Sequence, residues 1–147
     1  MNLVGIEKLV YGVDDLSLCK KFWRDFGLSV RKDDDMHGLF ECASRAKVEV
    51  RKKDDPSLPP PVVEEPTVRE TVWAADSQAT VNRIGEALSK DRDIRIDDDG
   101  SIHTLDPEGY GIGFAATERV ELPRCETRYN GPGHETRFNE PAIFYKN

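Results

Sequence analysis

Gly5 to Val30, GIEKLVYGVDDLSLCKKFWRDFGLSV, reads as strand, sharp turn, amphipathic helix, turn and strand. Gly5 to Val13 is rich in β-branched and aromatic residues and should be extended. Asp14 and Asp15 then offer carboxylates to the unpaired amides of a helix start, and Gly27 supplies a left-handed stop. Between them Leu16, Cys19, Phe22, Trp23 and Phe26 recur at three- and four-residue steps. That spacing predicts one apolar stripe along a helix flanked by Lys20, Lys21, Arg24 and Asp25. A strand and a helix that each carry one apolar face must pack together.

Working outward, Leu28 to Lys32, Leu39 to Cys42 and Lys47 to Lys53 read as three further strands, parted by the polar DDDMHG and the small-residue SRA. The order is βαβββ. There follows DDPSLPPPVVEEP, which holds five of the nine prolines, Pro56, Pro59, Pro60, Pro61 and Pro66. Proline neither donates a ladder hydrogen bond nor continues a helix, so this is a stiff connector. Beyond it the opening pattern returns. Aligning Asp14 with Asp76, a shift of 62, sets Tyr11 against Trp73, Cys19 against Val81, Phe22 against Ile84 and Phe26 against Leu88. Ser77 can cap the second helix, and Asp93 to Ile96, Ser101 to Leu105 and Gly111 to Ala115 supply strands around the turns DDDG and DPEGYG. The sequence therefore predicts an α+β fold of two βαβββ modules, residues 1–55 and 67–118, joined by a connector at 56–66. The polar run from Glu121, within residues 119–147, shows no periodicity before Ala142 to Tyr145 and reads as a surface arm or a linker.

The whole chain bounds the function. Its 147 residues suit one domain. A formal charge of −7, with basic residues scattered, argues against nucleic acid as a partner. No apolar run approaches the roughly 20 residues that cross a bilayer, and the N-terminus lacks a signal-peptide pattern, so a cytoplasmic protein without a membrane partner is expected. Cys19, Cys42 and Cys125 have neither disulfide nor zinc-ligand spacing.

Two βαβββ units with VDDLSLCKKFWRDFGL near the start and DPEGYGIGF near the end resemble the vicinal oxygen chelate superfamily, over roughly residues 3 to 118. That superfamily includes glyoxalase I, the bleomycin-resistance proteins and the type I extradiol dioxygenases. The resemblance implies a curved, partly closed mixed sheet with helices outside and a cavity within. Its metal-using members place up to four ligands on the first and last strand of each unit. The matching positions here are Lys8, Glu49, Glu70 and Gly113. Strand parity agrees, turning Lys8 and Val10, and likewise Glu70 and Val72, toward the cavity.

The chemistry of those four is unlike a metal shell. A protonated ammonium cannot ligate a cation and glycine has no side chain. The expectation is therefore that Lys8 bridges Glu49 and Glu70 as an ion triad, with no cofactor. The alternative is a divalent ion such as iron or manganese on Glu49, Glu70 and His103. His103 reads as structural, without an identified orienting acid. His37 and His134 read as solvated, Trp23 and Trp73 as core, and the Asp runs at 33–35 and 97–99 as solvated turns. The resemblance is nearest the metal-free first domain of an extradiol dioxygenase. It implies a degenerate domain that is non-catalytic by itself and binds a small molecule, such as an aromatic one, among Lys8, Val10, Glu49, Glu70, Val72 and His103. The alternative functions are a standalone protein of the bleomycin-resistance kind that sequesters its ligand, and a metal-dependent dioxygenase or lyase that uses Glu49, Glu70 and His103. A homodimer, with the tail as an exchanged element, is expected with either.

Overall fold

The structure is a computed structural model, and residues 2–122 are described. In chain order the elements are β1 (Leu3–Val13), α1 (Leu16–Asp25), β2 (Ser29–Asp33), β3 (His37–Glu41), β4 (Lys47–Lys52), β5 (Thr67–Ala75), α2 (Gln78–Leu88), β6 (Arg95–Ile96), β7 (Ile102–Leu105) and β8 (Gly111–Ala116). They form one open, mixed eight-stranded sheet in the order β2-β3-β4-β1-β5-β8-β7-β6, with two helices. Each helix starts where its cap residue predicts. The Asp15 carboxylate accepts from the Leu18 amide at 2.9 Å, and the Ser77 hydroxyl accepts from the Thr80 amide.

The repeat seen in the sequence is written into the register. β1 and β5 run antiparallel at the sheet centre, where Lys8 pairs with Val72, Leu9 with Thr71 and Val10 with Glu70. Shifting either strand by 62 residues maps this set onto itself, so a local two-fold axis passes between Leu9 and Thr71. At equivalent points each strand carries an extra residue, Glu7 between the Ile6–Trp73 and Lys8–Val72 pairs, and Arg69 between the Val10–Glu70 and Tyr11–Val68 pairs; β1 has a further one, Val4, between Leu3–Ala75 and Gly5–Ala74. β-Bulges of this kind redirect a side chain and increase local twist. Glu7 and Arg69 are both buried. Arg69 donates to the carbonyls of Lys53, at 3.0 Å, and Pro59, clamping the proline connector. Glu7 accepts from Thr117 Oγ1 at 3.0 Å, and Val120 donates to the Ser44 carbonyl, so residues 117–120 are fastened at the opposite end of the strands.

The helix side divides into two cores. Under α1 lie Val13, Leu16, Phe40 and Val50 with Tyr11, Cys19 and Trp23 against them. Under α2 lie Ala75, Val81, Ile102 and Phe114 with Trp73, Ile84 and Leu88. Both tryptophans thus fill cores, as expected. The predicted stripe of α1 is corrected in part, because Phe22 and Phe26 are 54% and 67% exposed. At the α2 position matching Trp23 stands Gly85, where an added Cβ would run into Ile102 Cδ1, so α2 lies close on its strands. On α1 that position holds Trp23, and Phe22 and Phe26 lie edge-on to its ring, with centroids 5.1 and 5.8 Å away, and stack on each other at the rim with centroids 5.8 Å apart. Lys20, read as a flanking surface residue, is buried instead and reaches Asp33 at 2.9 Å and the Asp34 carbonyl. Burial, and secondarily Asp15, raises the Cys19 thiol above its usual range, consistent with a packing role. Cys125 and His134 lie outside the described residues.

Candidate functional site

Strand pairing brings the singled-out residues into two adjacent rows. One row runs Glu49, Val10, Glu70, Gly111, and the next runs Lys8, Val72, Gly113, His103. Residues paired directly across strands share a sheet face, so all eight project to one side. In the two-fold frame Lys8 corresponds to Glu70, and Glu49, opposite Val10, corresponds to Gly113, opposite Val72.

The charges on this face form two separate groups. In the first module Lys8 Nζ lies 2.9 Å from Glu49 Oε2. Arg51, two residues along β4 on the same face, donates from Nε to Glu49 Oε1 at 2.6 Å and reaches Ser57 Oγ of the connector at 2.6 Å. Burial opposes ionisation of Glu49, yet Lys8 first and Arg51 second hold its carboxyl below the ordinary glutamate range. In the second module Glu70 Oε1 meets His103 Nδ1 at 2.8 Å, with both side chains buried. The other ring nitrogen lies 3.0 Å from Ser101 Oγ and 3.3 Å from Asp97 Oδ2. Ser101 donates its hydroxyl and its amide to Asp99 Oδ1, which lowers the Asp99 carboxyl.

The expected triad is therefore corrected. Lys8 serves Glu49, but Glu70 takes His103, because the strand beside Gly113 delivers an imidazole and Lys8 lies nearer to β4. The orienting acid that the sequence did not reveal for His103 is Glu70 itself. The second Asp run is an exposed turn as expected, and in addition Asp99 accepts from Ser101 and Asp97 lies beside His103. His37, expected in solvent, is half-buried and lies 3.2 Å from Asp34. Arg51 escaped the sequence reading, although its i+2 spacing from Glu49 on a predicted strand placed both on one face.

A cleft of about 400 Å³ opens beside the second group, with Glu70, His103 and Leu105 on one side and Leu58, Pro59 and Pro60 of the connector on the other. Leu58 and Pro59 come this close because Gly12 and Gly111 offer no side chain beneath them. Val10 and Val72 are buried and do not line this cleft.

A divalent ion at the four fold positions does not fit these residues. The ammonium of Lys8 already covers Glu49, and a Cβ on Gly113 would meet His103 Nδ1 at 3.1 Å and Val72 Cγ2 at 3.1 Å. The imidazole thus fills the space of the fourth ligand and points its nitrogen at the third.

An open sheet of two βαβββ modules related by a local two-fold, with its polar residues on the face away from the helices, is the vicinal oxygen chelate fold. Solved structures of similar shape include the Mn(II)-bound glyoxalase of Novosphingobium aromaticivorans, at 19% identity over 83% of this chain and 43% of that one, with a TM-score of 0.58. They also include a variant of homoprotocatechuate 2,3-dioxygenase from B. fuscum in complex with HPCA (16%, 82% and 34%, TM-score 0.64). The homoprotocatechuate 2,3-dioxygenase of Arthrobacter globiformis is a third (22%, 82% and 38%, TM-score 0.61). At these identities the likeness is one of fold, and the chain spans well under half the length of each. No protein-family model and no curated protein matches the sequence. Among the described residues no helix is long and apolar enough to cross a membrane.

Proposed function

We propose that this chain is a metal-independent small-molecule-binding domain on the glyoxalase and extradiol-dioxygenase fold, with a degenerate metal site and no ring-cleaving activity by itself. One observation carries the reading. Each buried acid at the family's ligand positions already has a partner from within the chain: Glu49 is ion-paired to Lys8 and Arg51, and Glu70 is hydrogen-bonded to the His103 imidazole. Residues 1–118 are the binding unit in this account. The ligand enters between the proline connector and β7. Apolar walls over a carboxylate–imidazole pair suit a small aromatic molecule that carries one hydrogen-bonding group.

The test uses the full chain. Iron(II) added anaerobically should give no turnover of a catechol panel, while some aromatic compounds should raise the melting temperature. A ligand at about 100 times its dissociation constant adds roughly 2.7 kcal/mol. Stabilisation that is lost in Leu105→Trp, which fills the cleft, supports the reading. Ring cleavage dependent on added iron would overturn it.

A further inference from the structure

The two helices of the repeat differ in what they leave uncovered. On α2 the positions Thr80, Ile84 and Leu88 pack on the sheet or are buried. Their counterparts on α1, Leu18, Phe22 and Phe26, are 62%, 54% and 67% exposed and lie at four-residue steps along one outer line of the helix. Val30 on the edge strand β2 is half-exposed and, being paired with the core residue Phe40, lies on the same side of the sheet. A stripe of two phenylalanines and a leucine on a chain with a formal charge of −7 is the kind of apolar patch that marks an interaction surface.

We infer that this stripe is the contact between two copies of the chain, with α1 packed antiparallel on α1 about a two-fold axis at Phe22. The argument is self-complementarity. Antiparallel pairing about Phe22 sets Phe22 against itself and Leu18 against Phe26 of the other copy, so the stripe closes on itself at both ends. Along its solvent flank stand Lys21 and Asp25, which form an ion pair within one helix. The same axis brings Lys21 of each copy alongside Asp25 of the other, so opposite charges meet across the seam and a parallel arrangement would lose both pairs. A ten-residue helix is only about 15 Å long, so the contact falls at or below the low end of the roughly 1,200–2,000 Å² that stable complexes bury. The dimer is accordingly weak and concentration-dependent. It leaves the cleft beside Glu70 open and does not rest on the ligand reading.

Sedimentation velocity of the full chain, from about 1 μM to about 1 mM, should show a monomer–dimer equilibrium in the micromolar range. Phe22→Glu with Phe26→Glu should remove the dimer and leave the circular dichroism of the monomer unchanged, with only a modest fall in its melting temperature because both rings lie edge-on to Trp23. Lys21→Glu alone and Asp25→Lys alone should each weaken association several-fold. The two changes together, K21E and D25K, should restore it. A wild-type chain that is monomeric throughout overturns the proposal. So does a dimer indifferent to the phenylalanine changes, or one that the double charge reversal fails to rescue, because another occupant or another surface is then in use.

Discussion

The two modules share a backbone and a register, yet they dispose of charge in opposite ways. The first keeps its acid on the last strand, Glu49, and covers it with two cations. The second keeps its acid on the first strand, Glu70, has glycine at the equivalent of Glu49, and fills that gap with His103. In the first module the residue that pairs with Glu49 as His103 pairs with Gly113 is the apolar Leu39. A buried carboxylate needs a partner wherever it stands, and here each module meets that need with its own side chains. The helices differ as well: α2 carries Gly85 against Ile102 where α1 carries Trp23, and Phe22 and Phe26 are exposed on α1 whereas Ile84 and Leu88 pack on the core under α2.

The comparison is easiest to break where one module tolerates a side chain and the other does not. Lys47 and Gly111 are equivalent in register, but a Cβ on Gly111 would overlap the Arg69 carbonyl and press on Pro59. Gly111→Ala should therefore cost about 3 kcal/mol in urea unfolding, from the backbone shift that overpacking forces. Next in size is the helix contrast. Ile84→Ala should lose about 2 kcal/mol, whereas Phe22→Ala removes a larger ring and should change monomer stability by only about 0.5 kcal/mol or less. An equal loss at both would contradict the exposure assigned to α1.

The charge groups come third. Lys8→Met should destabilise by about 2 kcal/mol, below the roughly 3–5 of an isolated buried pair, because Arg51 stays on Glu49 and Lys8 keeps partial access to water. Double-mutant cycles should show coupling of about 1 kcal/mol or more for Lys8 with Glu49 and for Glu70 with His103. Lys8 with Glu70 should be additive within about 0.5 kcal/mol. Coupling between Lys8 and Glu70 would revive a single triad.

The smallest effect is on the acid side. Glu49 has a lowered folded value against an ordinary 4.5, so its contribution is complete above pH 4.5 and is lost as pH falls through the lower value. Glu49→Gln should flatten the stability profile below about pH 4.5 and leave its slope near neutrality unchanged.

Much of this architecture was legible in the sequence. The 62-residue shift, the caps Asp15 and Ser77, and the period-2 strands are local signals, and local chemistry fixes them. Strand parity also turned Lys8 and Val10, and likewise Glu70 and Val72, to one face, and the family resemblance added Glu49 to it. Which acid takes which partner was not legible, because it depends on lateral register between strands far apart in the chain. His103 lies 33 residues from Glu70 and meets it only through β8. The bulges at Glu7 and Arg69 were hidden for the same reason, since an extra residue in a strand is defined only by its neighbour. The exposure of Phe22 and Phe26 was missed because periodicity marks a broad apolar stripe but not which part of it meets the sheet, here the part with Leu16, Cys19 and Trp23.

The most direct test of this internal pairing is the electron paramagnetic resonance spectrum of Mn(II) added to the full chain at neutral pH. The account predicts that one equivalent keeps the sharp six-line signal of the free aqueous ion. A broadened, bound signal at stoichiometric manganese that disappears in the Glu70→Gln variant would contradict it.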